Sequence, residues 1–175
     1  MNKYLSGLQR GFTLVELLIV VIILAILAAI VVPQFASSTV DAKIASLDSN
    51  LANIRSALDL YYQQHGGRYP GHYQETDGTT VAGTAVAKLA AMKAQLTLYT
   101  DLNGKTATVK DSTFKYGPYF KAVDLPNNPI TETNVVAFQG TAALGMTSTA
   151  APPAGWKYDV ITGQFIADDP AYDDR

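Results

Sequence analysis

Positions 17–32 are apolar without a break (LLIVVIILAILAAIVV), and extending back to Phe12 adds only Thr13 and Glu16 as interruptions. No polar face recurs at helical spacing, so a helix here is hydrophobic all round. At 1.5 Å per residue the 12–32 stretch spans about 31 Å, close to the hydrocarbon thickness of a bilayer. Beyond Pro33, which has no N–H to donate and is expected to kink or loosen a helix crossing it, the pattern becomes one-sided. Val40, Ile44, Leu47, Leu51, Ile54, Leu58 and Tyr61 alternate steps of four and three, one stripe of an amphipathic helix. Gly66-Gly67 stops it, and Tyr69-Pro70-Gly71 reinforces the break. The stripe packs either on the protein's own sheet or on a partner helix as a coiled coil. Its length of about three heptads favours the first. The two halves together predict one helix of about fifty residues, on the order of 75–80 Å long.

The remaining positions predict a small mixed domain. Residues 84–100 read as a short helix ended by Asn103-Gly104, after a Gly- and Thr-rich loop over 71–83. Strand candidates are 106–109, 114–123 (broken by Gly117-Pro118), 135–138, 156–160 and 164–167. The last two, joined across Ile161-Thr162-Gly163, form the clearest hairpin. The segment 140–155 is rich in Ala, Thr, Gly and Pro and reads as an irregular excursion. The fold class expected is α+β: one long N-terminal helix on a small antiparallel sheet. Tyr61, Tyr62, Tyr69 and Tyr73 could form an aromatic binding or charge-transfer surface; ring packing with wet hydroxyls is preferred.

Composition removes most chemistry. Of 175 residues 48% are hydrophobic and 16% charged, with a net charge of −2. A typical soluble domain has about 25% charged residues, so the chain is neither disordered by composition nor a basic nucleic-acid binder. With no Cys there is no disulfide, thiolate metal site or Cys nucleophile, and His65 and His72 are the only histidines. No dinucleotide fingerprint, P-loop or nucleophile elbow is present. No catalytic residue and no enzyme activity are expected.

Lys3 and Arg10 precede the apolar run and no acid does, so the positive-inside rule keeps the N-terminus cytoplasmic. A secretory signal peptide would have a shorter core and would not carry Glu16 inside it. In a plain anchor Glu16 costs roughly 2.5–3.5 kcal/mol at mid-helix, less near an end where the helix dipole favours an anion. An intramembrane carboxylate needs a partner.

Gly11-Phe12-Thr13-Leu14-Val15-Glu16, behind a basic leader and ahead of a long apolar run, resembles the type III signal of type IV pilins and type II secretion pseudopilins. The resemblance covers roughly residues 7–40. It implies a leader over 1–11 cut between Gly11 and Phe12 by a prepilin peptidase, N-methylation of Phe12, a membrane and filament-core helix over 12–33, and a head over 34–175 whose amphipathic helix half is 34–65. It makes Phe12, Glu16 and Pro33 assembly positions. The cut leaves an ammonium on Phe12, which Glu16 of a neighbouring subunit can neutralise; a buried pair left half-made costs several kcal/mol, so register is enforced. Losing Lys3 and Arg10 takes the formal side-chain charge from −2 to −4. The run from Tyr116-Gly117-Pro118-Tyr119 through Leu125-Pro126 to Asn128-Pro129, followed by the Trp156 hairpin, is similar to pseudopilin heads, though more loosely. Many type IV pilins close the head with a disulfide, which this chain cannot form, and the major pseudopilin uses calcium. Asp168, Asp169, Asp173 and Asp174 could supply oxygen ligands, but a solvated acidic tail is preferred and no metal or other cofactor is expected.

The resemblance implies a structural subunit of a type II secretion pseudopilus, with a major type IV pilin (adhesion, motility, DNA uptake or electron transfer) second and a membrane-anchored enzyme or receptor third. Implied partners are further copies in a helical filament, the prepilin peptidase, an inner-membrane assembly platform and minor pilins or pseudopilins. The expected location is a single-pass inner-membrane protein before assembly and a periplasmic or extracellular filament after it.

Overall fold

The computed structural model describes residues 11–122, 124–140, 145–149 and 153–175. The leader, apart from Gly11, lies outside the described residues, as do Val123 and parts of the 140–155 excursion. Helix α1 (Leu14–Gln64) runs through position 33 without interruption. Proline's fixed φ suits a helix, and what it removes is one hydrogen bond. The chain divides into two compact units, Met1–Ala42 and Lys43–Arg175.

Among the described residues of the first unit nothing covers the apolar helix. The large apolar side chains of 17–32 are 43–64% exposed. An 18-residue window of α1 has a mean hydropathy of 3.4, long and apolar enough to cross a membrane.

The second unit has its own core. Leu47, Leu51, Ile54, Leu58 and Tyr61 are at most 2% exposed, so the predicted stripe is buried from Leu47 onward. Val40, its first expected member, lies in the first unit and is exposed. α1 ends with Gly66 in the left-handed region (φ 63°) and the Gly67 N–H bonded to Tyr62 O at 3.0 Å, a Schellman closure that a residue with a Cβ resists. Helix α2 (Ala85–Thr97) starts at Thr84, whose hydroxyl accepts the Ala87 N–H at 3.1 Å. It stops short of the predicted 100 because Leu98 is extended and Tyr99 pairs as a strand. Asn103-Gly104 therefore closes not the helix but the turn between β1 (Tyr99–Thr100) and β2 (Thr106–Ala107), an antiparallel pair shorter than the 106–109 expected. Asp101 Oδ1 holds that turn through the N–H groups of Asn103 (2.8 Å) and Lys105 (2.9 Å).

The main sheet joins β3 (Val136–Gln139), β4 (Trp156–Asp159) and β5 (Phe165–Ala167) in that order. The expected hairpin is β4–β5, antiparallel with Trp156 opposite Ala167. Within that small sheet β3 runs parallel to β4, Val136 opposite Trp156, so the sheet is mixed. Parallel neighbours need a crossover of a dozen or more residues, and the sixteen of 140–155 provide it. No strand forms over 114–122; Tyr116 makes one bridge to Thr100. Pro118 has no N–H for a ladder, and the Tyr119 and Phe120 N–H groups both turn to Leu96 O (2.8 and 2.9 Å).

Met92 and Leu96 of α2 and Trp156, Tyr158, Phe165 and Ala167 of the sheet complete the core around the α1 stripe. The proline run is part of this packing. Trp156 Nε1 donates to Pro126 O (2.9 Å), and fully buried Asn128 donates to Gly155 O (2.7 Å) while accepting the Ile130 N–H (2.8 Å). That ties the segment to the first residue of β4 and explains why it precedes the hairpin.

Candidate assembly site

Three neighbouring residues carry the chemistry of the first unit. Thr13 caps α1. Its hydroxyl accepts the Glu16 N–H at 3.2 Å and donates to Glu16 Oε2 at 2.8 Å, while the Thr13 N–H donates to the same oxygen at 2.8 Å. This is a reciprocal capping box. It satisfies N–H groups of the first turn that have no helical partner, in a segment whose apolar setting offers little water to do so. The carboxylate lies at the positive end of the helix dipole. Oε2 takes both bonds, and Oε1 has no partner among the described residues. A carboxylate accepts on both oxygens, so Glu16 can hold the cap and receive a cation from outside the chain. Phe12, where that cation would arise after cleavage, is 84% exposed.

Treating Glu16 as a charge in search of a partner misses the capping role, although Thr13-x-x-Glu16 ahead of an apolar run is its sequence signature. Pro33 lies on the same helix, roughly five turns further on.

The solvated acidic tail expected over 168–174 is corrected at Asp168 and Asp173, which are tied into the head, whereas Asp174 is exposed. Asp168 is fully buried and accepts the N–H groups of Thr149 and Ala154, the latter at 2.8 Å. Asp173 accepts the Ser148 N–H at 2.7 Å, and that bond holds its carboxyl below the usual range. Asp169 Oδ1 accepts the Ala171 N–H at 2.9 Å. The reason is the crossover: a segment outside the ladder has N–H groups with no strand to take them, and carboxylates supply acceptors. Among the described residues no three His, Asp or Glu side chains gather as cation ligands.

Two buried polar residues also went unmarked in the sequence. His65 stacks on Tyr61 (centroids 3.7 Å apart); its Nδ1 is 2.8 Å from Tyr61 O and its Nε2 is 2.9 Å from the Thr100 hydroxyl. A carbonyl only accepts, so Nδ1 carries the proton, and burial pushes the imidazole's pKa down. Gln95 accepts the Gly71 N–H (2.8 Å) and donates to Tyr73 O (3.1 Å) and Gly104 O (2.9 Å). Its only sequence signal is position: with Ala91, Met92 and Leu96 it completes the buried face of α2. Of the tyrosines, Tyr61 is core and Tyr69 packs against Tyr62 (4.4 Å) and Gly163.

Residues 7–32 match the family model described as the prokaryotic N-terminal methylation motif. The chain is 49% identical over 53 residues to the type II secretion system core protein G of Pseudomonas aeruginosa, covering 30% of this chain and 37% of that one. To the type IV major fimbrial protein FimA of Dichelobacter nodosus it is 33% identical over 99 residues (54% of this chain, 64% of that one). To a fimbrial protein of Neisseria meningitidis it is 30% identical over 129 residues (74% and 57%). The chain thus spans between 37% and 64% of the length of these relatives. No solved structure matches it. A methylation motif leading into a long exposed apolar helix, with a small α+β unit after it, defines a class of membrane-anchored, pilin-like protein. Together with these relatives it makes the chain similar to the pilins and pseudopilins.

Proposed function

We propose that this chain is a structural, non-enzymatic subunit of a helical filament: cut between Gly11 and Phe12 by a prepilin peptidase, methylated on Phe12, held in the inner membrane by 12–33 with its N-terminus cytoplasmic, then drawn into a polymer. The observation that carries the proposal is the exposure of every large apolar side chain from Leu17 to Val32 beside a second unit whose core is already complete. Lipid covers that helix before assembly and neighbouring helices cover it afterwards. The free Glu16 Oε1 supports pairing with the Phe12 ammonium of a neighbour. Assembly would involve an inner-membrane platform and minor subunits of the same kind.

A type II secretion pseudopilus is the first reading, supported by the similarity to core protein G and by the proline run locked to the Trp156 hairpin. A type IV pilus is the second, supported by the fimbrial similarity that extends over 74% of the chain. Mass analysis should find a mature chain starting at N-methylated Phe12. Glu16→Ala should insert normally but give far fewer filaments. A mature chain starting beyond the apolar stretch, or normal filaments from Glu16→Ala, would overturn the proposal. Neighbouring genes separate the two readings: a secretin with a secretion ATPase, or a retraction ATPase with adhesins.

A further inference from the structure

Two adjoining clefts of the second unit, of about 230 and 220 Å³, share His72, Val160 and Ile161 as walls. Arg68 lines one and Lys88 the other. None of the chain's fifteen acids lines either cleft. Three other cations of the unit meet carboxylates: Lys43 with Glu132 (3.0 Å), Lys93 with Asp124 (2.7 Å) and Arg175 with Asp48 (2.8 Å). Arg68 and Lys88 have no ion pair and no hydrogen bond among the described residues. Arg68 is nonetheless placed, its guanidinium 5.0 Å from the centre of the Tyr73 ring, which meets His72 edge-on at 4.5 Å. His72 Nδ1 is buried without a partner. Burial lowers the pKa of His72, and Lys88 and Arg68 lower it further, so both cations lie within electrostatic reach of the ring. The apolar walls from Val160 and Ile161 keep the local dielectric low and focus the positive potential.

We propose that these paired clefts bind an oxyanion of the phosphate or sulfate type, with Arg68 and Lys88 closing on it from opposite sides and the His72 ring shared between them. The guanidinium of Arg68 and the ammonium of Lys88, on either side of the shared His72 wall, suit an anion that accepts in several directions, and charge-assisted bonds to them supply the affinity. The oxyanion is either free or carried on a lipid headgroup.

The two histidines make the test direct. The full chain, labelled with ¹⁵N in its histidine rings and held in phosphatidylcholine nanodiscs, is titrated with inorganic phosphate, with sodium chloride at matched ionic strength as control. The His72 ring signals should shift saturably while those of buried His65 stay still. Arg68→Gln with Lys88→Gln should weaken binding by roughly tenfold per cation removed, and Lys43→Gln should leave it unchanged. A His72 shift in phosphate-free nanodiscs containing phosphatidylglycerol assigns the headgroup as the source; a shift only on adding phosphate assigns the free anion. The proposal is overturned if His72 does not respond by roughly 10 mM phosphate and gives no phosphatidylglycerol signal. An equal response to chloride, or undiminished binding by the double variant, overturns it too.

Discussion

Asp168→Asn tests how the head holds its crossover. Asp168 is fully buried, and its two oxygens accept the Thr149 and Ala154 N–H groups. Asparagine keeps one carbonyl oxygen and places an NH2 where the second acceptor stood, so one backbone donor faces a donor. A hydrogen bond to a charged acceptor contributes about 1.5–3 kcal/mol, and an orphaned buried donor costs about 1–3 kcal/mol. Removing a buried charge returns part of its desolvation cost. The net loss should be about 2–4 kcal/mol, lowering the melting midpoint of the head by roughly 6–15 °C. Trp156 is the only tryptophan, is fully buried and lies across from Ala167, so its fluorescence reports this region in the full chain in detergent. Wild-type protein in EDTA should melt within about 2 °C of the untreated sample, a small fraction of the shift expected for the variant. A midpoint unmoved by Asp168→Asn would refute the hydrogen-bonding account. A wild-type loss in EDTA matching the variant's would show that these carboxylates hold a cation instead.

Two more predictions concern the second unit. Gly163 has φ 74°, and a Cβ there would lie 2.1 Å from Cζ of Tyr69, so Gly163→Ala should cost at least about 2 kcal/mol in urea unfolding; the penalty should shrink when Tyr69 is also Ala, and equal penalties in both backgrounds would remove the ring contact as its cause. His65 and His72 both have pKa values lowered on folding, chiefly by burial. Their stabilising contribution is therefore complete above the unfolded value of about 6.5 and is lost as pH falls below it toward the folded values. Urea midpoints should decline from pH 7.5 to 5, and His65→Gln should flatten the decline; a flat wild-type profile would contradict the assignment.

What the sequence determined by itself is what depends on local order. Hydrophobicity without a polar face defines the membrane-length helix, steps of three and four from Leu47 to Tyr61 define the packed stripe, and Gly66-Gly67 ends it. Trp156 to Ala167 is a hairpin because its strands are adjacent and joined by a turn that requires Gly163. The match to the N-terminal methylation motif is equally local, lying within residues 7–32. Tertiary structure decided the rest. The parallel pairing of β3 depends on where a sixteen-residue crossover returns, and no periodicity encodes that. Asp168 looked like part of a solvated acidic run because its acceptors' partners, Thr149 and Ala154, lie far back in the chain. Arg68 and Lys88 line adjoining clefts that share His72 only because the 67–73 turn, α2 and the β4–β5 turn meet there. Local backbone preferences act over a few residues, whereas charge and hydrogen bonding act through space, and only the folded chain says which groups share that space.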